Sequence, residues 1–291
     1  MKKILITGEN SYIGMALVKW LEDYPKKFDV TSISVKGSEW QKKDFSKYDT
    51  IIHVAGLAHK KETEDNKFLY DEVNHQLVRH VSDKAESEGV KHFVFLSSMS
   101  VYGDVRGKVD ETTPLSPNTY YGKSKLKAEN YLQNICSDTM KIAIIRPPMV
   151  YGSGCKGNYV SLAKLARKTP IFPNITNQRS MIFIDNLCLY IEMIIENVLE
   201  GVFYPQNLEL VNTSDLVKLI ASNNKHQIYF TKLSNPLLRF LLNRQTVISK
   251  VFGSLYYDPK MSLLKVEELD TELVKRMKFF TETVLLTEEK I

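Results

Sequence analysis

Short apolar runs alternate with longer amphipathic stretches from the N-terminus to about residue 205, and this alternation predicts strand and helix in turn. Lys3–Thr7 reads as a buried strand, after which Ile13, Ala16, Leu17, Trp20 and Leu21 recur at helical spacing. Phe28–Val35 alternates apolar and polar as a second strand, and Tyr48–Ala55 is apolar at its centre, as an inner parallel strand should be. Leu69, Val73, Leu77, Val81 and Ala85 form one stripe of a long helix from about Phe68 to Glu88. His92–Ser97 and Met140–Arg146 are the fourth and fifth strands, the latter stopped by Pro147-Pro148, which lack backbone donors. A helix opens at Asn158-Tyr159 and runs to about Lys168, a second follows Asp185-Asn186 to about Asn197, and Gly201–Tyr204 is a last short strand. Such alternation points to an α/β fold built on a parallel sheet.

Beyond Asn207 the pattern is less regular. Thr213-Ser214-Asp215 signals a helix start before Leu216, Leu219 and Ile220, and Asp270–Ile291 reads as one further helix. Pro236–Phe252 is apolar with Arg239, Arg244 and Lys250 interspersed, which suits either a cover over a substrate pocket or a helix lying on a membrane surface. The chain has 291 residues, enough for a large core without staples. Its cysteines, Cys136, Cys155 and Cys188, show no paired spacing, which argues against a disulfide framework and a zinc site and fits a reducing cytoplasm. No apolar run approaches the ~18 residues of a membrane span, and MKKILITG is too short in its apolar part for a signal peptide. The net charge of +5 is spread along the chain and does not indicate nucleic acid.

Chemistry concentrates where predicted strands end. Gly8-Glu9-Asn10-Ser11-Tyr12-Ile13-Gly14 joins the first strand to the first helix, as a pyrophosphate-binding turn does, with Ser11 where glycine is usual. Ser11 must therefore point away from the phosphates or bond to one. The second strand ends in Ser34-Val35-Lys36, with no carboxylate until Glu39, so Ser34 and Lys36 are candidate ligands for the 2′-phosphate of NADP(H); Lys36 as a solvated loop lysine is the alternative. Ala55-Gly56-Leu57 offers small residues for close approach to a dinucleotide, and His53, with no partner at metal-ligand spacing, reads as a hydrogen-bonded core histidine. Ser98 follows the fourth strand. If Tyr121-Gly122-Lys123-Ser124-Lys125 is helical, Tyr121 and Lys125 lie one turn apart, and the ammonium is expected to lower the phenol toward a useful acid or base.

TGENSYIG, IIHVAG, SSMSVYG, YYGKSK, IIRPPMVYG and QRSMIFIDN, in this order, resemble the extended short-chain dehydrogenase/reductase superfamily of nucleotide-sugar epimerases, dehydratases and reductases. RPPMVYG and NQRS bring the chain nearest to bacterial capsule and O-antigen enzymes that reduce UDP-4-keto-6-deoxy-N-acetylhexosamines. The resemblance implies a Rossmann-type doubly wound parallel sheet, residues 1–155 with about 180–205, and a smaller C-terminal substrate-binding lobe, about 156–179 with 206–291. It implies Ser98, Tyr121 and Lys125 as the catalytic trio, with Lys125 also on the nicotinamide ribose. Gly8, Ser11, Tyr12, Ile13 and Gly14 would line the pyrophosphate, Asp44 would touch adenine, Ala55, Gly56 and Leu57 would flank the dinucleotide, Asn74 would lie near the active strand, and Pro147 and Met149 would border the nicotinamide. Asn158 and Arg179 would hold the diphosphate of a UDP-sugar, although Arg179 in a surface salt bridge is the alternative. Met99 and Ser100 stand where dehydratases carry an Asp-Glu pair, which argues against dehydration. The expectation is a cytoplasmic, homodimeric 4-ketoreductase using NADPH, with a UDP-hexose or UDP-N-acetylhexosamine 4-epimerase holding NAD as the alternative, and with no metal.

Overall fold

The computed structural model describes residues 1–58, 60–135, 139–233, 235 and 251–289. Its centre is a six-stranded, wholly parallel sheet built from β1 (Lys2–Thr7), β2 (Phe28–Ile33), β3 (Thr50–His53), β4 (His92–Leu96), β6 (Lys141–Ile145) and β10 (Gly201–Phe203). The spatial order is β10-β6-β4-β3-β1-β2. Alternation along each strand sends side chains to opposite faces. Ile4, Ile6, Ile52, Val94, Leu96, Ala143 and Ile145 meet Leu17 and Leu21 of α1 (Tyr12–Glu22) and Leu187 and Ile191 of α6 (Ile184–Glu196). Leu5, Ile51, Phe93, Phe95, Ile142 and Ile144 meet Val78, Val81 and Ala85 of α3 (Leu77–Ser87) and Ala128 and Leu132 of α4 (Tyr120–Ile135). Both faces are thus covered, as in the expected doubly wound sheet. A one-residue register slip would send each apolar set to the wrong layer.

Two predicted helices are broken, each by a side chain that captures the backbone. The stripe from Phe68 to Glu88 comprises α2 (Lys67–Asp71), a π turn (Glu72–Gln76) and α3, and Asn74 in the π turn reaches across to Leu57. The tail forms two helices, Glu267–Arg276 and Phe280–Glu288. Between them Asn186 accepts from the Lys278 N–H (2.9 Å) and donates to its carbonyl (3.0 Å), so a residue outside the tail holds the break.

Sequence periodicity also missed three pairs of three-residue strands, which are too short to repeat. They are β5 (Gly107–Val109) with β12 (Leu255–Tyr257), β7 (Met149–Tyr151) with β9 (Met181–Phe183), and β8 (Ile171–Pro173) with β11 (Tyr229–Thr231). The apolar core that starts beneath α1 continues through Tyr159, Phe172, Leu216, Ile220 and Val284. Cys155 and Cys188 are buried free thiols. Residues 236–250 of the predicted helix Pro236–Phe252, and Cys136, lie outside the described residues. No described helix is long and apolar enough to cross a membrane.

His53 is fully buried between Phe93 and Phe95. Its Nδ1 pairs with the Thr7 hydroxyl at 2.8 Å, whereas Nε2 has no partner among the described residues, so the expected core histidine is only half satisfied there. Burial, aided by the nearby Lys125 charge, lowers its pKa to about 3. The folded protein therefore keeps this ring neutral while the unfolded chain takes up a proton below about 6.5, so stability falls as pH drops from 6.5 toward 3. His53→Leu is expected to flatten the decline of Tm between pH 6.5 and 4, measured by thermal melts across that range; an unaltered slope would remove His53 as a source of acid sensitivity.

Candidate active site

β1 lies between β2 and β3, so the chain leaves these neighbouring strands in opposite directions and opens a crevice beyond the carboxyl ends of β1 and β3. Gly8 closes one side of it. Its φ is +109°, and a Cβ there would lie 2.8 Å from the Ala55 nitrogen, so the loops after β1 and β3 touch where only glycine fits. Ser11 turns back into α1, where its Oγ accepts the Gly14 N–H at 3.0 Å. That settles which way the unusual serine points. The N–H groups of Tyr12 and Ile13, in the first turn, have no intrahelical acceptor by geometry and suit an anion. This cradle fits a dinucleotide pyrophosphate.

At the rim, Ser34 Oγ accepts the Lys36 N–H at 3.3 Å, and both residues are exposed. Glu39 pairs with Lys42 at 2.9 Å, so the first carboxylate after β2 is engaged locally. Asp44 accepts from the Ser46 hydroxyl and N–H, which hold its carboxyl below the usual range.

The far wall is Ala55-Gly56-Leu57, and the fully buried Asn74 braces it. Asn74 Oδ1 accepts the Leu57 N–H at 2.7 Å, and Nδ2 donates to the Leu57 carbonyl and to Ser124 Oγ, each at 3.1 Å. Both ends of the amide are committed, so Asn74 shapes the wall through Leu57. A π turn at such a position puts the side chain where a regular helix would not.

Ser98 ends the segment after β4 and caps a single 3-10 turn, Met99–Tyr102, with its Oγ 3.1 Å from the Ser100 N–H and 3.0 Å from Ser100 Oγ. The Ser98 side chain also lies close enough to the phenol of Tyr121, on the first turn of α4, to act on its pKa. Lys125, one turn on, is buried. It donates to the Leu96 carbonyl at 2.7 Å and lies 4.6 Å from the centre of the Phe95 ring. The expected lowering of the phenol by this ammonium is not what the arrangement produces. Burial raises the Tyr121 pKa, with nearby Ser98 acting against it, while burial lowers Lys125 to about 7 and Glu129 opposes that fall. Pro147, which accepts from the Met99 N–H at 2.9 Å, ties the loop after β6 to the loop holding Ser98, and Met149 opens β7 beside it.

Asn158 is the exposed first residue of α5 (Asn158–Ala166). Arg179 bridges Val211 and Leu255 through its backbone and donates from Nη1 to the Gly253 carbonyl at 3.0 Å. Burial lowers its pKa, and no carboxylate pairs with it among the described residues, so the expected alternative of a surface salt bridge is absent there.

One buried cluster behind the trio was not foreseen. Glu129 and Arg146 form a two-oxygen pair (Nη2 to Oε2 2.6 Å, Nε to Oε1 3.1 Å), Ser97 donates to Glu129, and Arg146 donates to the Tyr102 hydroxyl at 2.9 Å. Tyr257, from β12, donates to the Arg146 carbonyl at 2.9 Å. The spacing 121, 125, 129 places three functional groups on one helical stripe, a signal that could have revealed Glu129. Among the described residues no group of side chains is arranged to hold a metal ion.

Comparison with known proteins adds to this geometry. A profile of the NAD dependent epimerase/dehydratase family matches residues 4–204. UDP-glucose 4-epimerase of Vibrio cholerae is 32% identical over 286 residues, covering 88% of this chain and 87% of its own. N-acetyl-alpha-D-glucosaminyl-diphospho-ditrans,octacis-undecaprenol 4-epimerase of Escherichia coli O157:H7 is 28% identical over 272 residues, covering 87% and 82% respectively. Among solved structures, UDP-glucuronic acid 4-epimerase of Bacillus cereus with NAD superposes at a TM-score of 0.74, with 17% identity and coverage of 99% and 98%. RMD of Pseudomonas aeruginosa with NADPH gives 0.73, with 15% identity and coverage of 100% and 97%. These two share the fold.

Proposed function

Because the chain belongs to the NAD dependent epimerase/dehydratase family, we propose that it is a 4-epimerase acting on a hexose joined to a diphosphate. The observation that carries this reading is that two relatives aligned over more than four-fifths of both chains are named as 4-epimerases. It displaces the 4-ketoreductase expected from RPPMVYG and NQRS to second place. One feature still favours the reductase: the end of β2 offers exposed Ser34 and Lys36 and no free carboxylate, which suits NADPH.

In this reading Gly8, Ser11–Gly14 and Ala55–Leu57 hold the dinucleotide, with Asp44 toward adenine and Pro147 and Met149 toward the nicotinamide. When bound, the nicotinamide supplies reversible hydride transfer at carbon four. The Tyr121 phenol would exchange the proton of the 4-oxygen, Ser98 would hold that oxygen, and Lys125 would serve the phenol and the ribose. Arg179, whose buried charge has no carboxylate partner among the described residues, meets the substrate diphosphate, with Asn158 beside it. Met99 and Ser100, neither of which titrates usefully, leave no acid and base for dehydration. The substrate lobe of 156–179 and 206–291, a dimer through helices beside α4 and a cytoplasmic setting belong to the same proposal.

The test begins with the purified protein, denatured to identify any dinucleotide it retains. It is then incubated without added cofactor with UDP-glucose, UDP-N-acetylglucosamine and polyprenyl-diphospho-N-acetylglucosamine. Retained NAD and inversion at carbon four are expected, and the arm that reacts identifies the carrier beyond the diphosphate. Stoichiometric NADPH consumption with a UDP-4-keto sugar, and no inversion in any arm, would establish the reductase instead.

A further inference from the structure

The loop Lys60–Asn66 carries three carboxylates, and one of them grips the helix that bears Tyr121. Glu62 Oε2 accepts the Tyr120 N–H at 2.9 Å, and its Oε1 accepts the Tyr121 N–H at 3.0 Å. Glu64 takes the Tyr120 hydroxyl and Lys67, and Glu64 and Asp65 are exposed. The loop is built to present Glu62 in this way. The hydroxyl of buried Tyr70 holds the Lys60 carbonyl at 2.8 Å, the Asn66 amide holds the Lys61 carbonyl at 2.9 Å, and Asn66 Oδ1 accepts the Thr63 N–H at 3.0 Å. The peptide groups on either side of Glu62 are therefore fixed before its carboxylate reaches α4.

The first N–H groups of a helix lack intrahelical acceptors, and a negative charge there is favoured by the dipole. α4 already has a local cap, since Thr119 Oγ1 accepts the Gly122 N–H at 3.0 Å. Glu62 adds something a local cap does not supply: a charge-assisted link from the segment continuing Ala55-Gly56-Leu57 to the backbone of Tyr121. A second link runs from Leu57 through Asn74 to Ser124 on the same helix. We propose that Glu62 is a positioning residue that holds the Tyr121 phenol in register with the wall of the dinucleotide crevice. The inference rests on the reading of Tyr121 as the acid/base. A misplacement of about 1 Å in such a group is enough to slow turnover on the order of 100-fold.

The test compares Glu62→Ala, Glu62→Gln and Thr119→Ala with the unaltered protein and with Tyr121→Phe. It measures kcat, KM, retained dinucleotide, Tm and the NMR signal of ring-labelled tyrosine, the Tyr121 line being the one lost in Tyr121→Phe. Glu62→Ala is expected to lower kcat by about 10- to 100-fold with KM and retained dinucleotide little changed, and to shift or broaden the Tyr121 line. Glu62→Gln, whose carbonyl can still accept one N–H, should recover part of both effects. Thr119→Ala should lower Tm while leaving the Tyr121 line in place. A normal kcat and line in Glu62→Ala beside an inactive Tyr121→Phe would overturn the positioning role. So would equal line and kcat effects from Thr119→Ala, which would reduce Glu62 to a helix cap, or a change confined to KM, which would make it a substrate contact. An active Tyr121→Phe would instead overturn the reading of Tyr121, and the NMR comparison judges Glu62 without turnover.

Discussion

Tyr121→Phe is expected to lower kcat by about 10²- to 10⁴-fold, the range that a positioned proton donor or acceptor contributes, while the protein folds and retains its dinucleotide. The change removes one oxygen. Ser98, the side chain acting on that phenol, keeps its bonds to Ser100 in the variant. The ring itself still fills its place. Burial keeps the phenol above its ordinary range in this structure, so taking the proton of the 4-hydroxyl, which an epimerase must do first, requires a nearby positive charge to bring it down. Lys125, one turn along α4 and itself lowered to about 7 by burial, is placed to supply that charge in the proposed mechanism, and Lys125→Met should therefore shift the pH profile as well as reduce the rate. Steady-state rates from pH 6 to 10 on the three proteins, with dinucleotide content measured alongside, separate the roles. Turnover in Tyr121→Phe within a few-fold of the unaltered enzyme would remove this residue from the chemistry.

The largest expected effect on stability lies one turn further along the same helix. Glu129 is 0% exposed and Arg146 4%, and each is the other's main charge partner. Burial opposes the Arg146 charge, yet hydrogen bonds and attraction from Glu129 outweigh it and hold the guanidinium above its usual range. Glu129→Gln keeps the volume and an acceptor for Ser97 but leaves the buried Arg146 charge without its counter-charge. Breaking such a pair costs about 3–5 kcal/mol, enough to lower Tm on the order of 10 °C. Replacing both residues with methionine should recover much of the loss, because the pair's desolvation disappears along with its attraction. Chemical denaturation of the single and double variants reports the difference. Equal stability of Glu129→Gln and the unaltered protein would show that the cluster contributes specificity of packing and little net stability. Glu129→Gln should also push Lys125 further below about 7, since Glu129 is the group opposing its fall.

The six sheet strands were legible as short apolar or alternating runs of three to six residues, and α1 from its apolar stripe, whereas α4 entered only as the condition that joins Tyr121 to Lys125. Gly8 and Ser98 could be singled out because they follow strand ends, and Tyr121 because Lys125 stands four residues on. Asn74 could be found by position, but its bracing of Leu57 depends on a π turn that no helical period encodes. Glu62 sits in a run of charged residues where nothing local distinguishes the inward carboxylate from its exposed neighbours. The tuning of Tyr121 was misjudged because sequence supplies the spacing of a lysine but not the carbonyl that engages it, here that of Leu96.

The three-residue strand pairs have a consequence for protein engineering. β8 emerges between β7 and β9, its partner β11 follows β10, and β12 returns to pair with β5 near residue 108. The part of the molecule beyond the central sheet is therefore stitched from separate stretches of chain, with sheet elements threaded between them. Exchanging specificity with a relative by cutting and pasting one contiguous cassette would strand half of each stitch, so chimeras require several simultaneous crossovers placed within matched strand pairs.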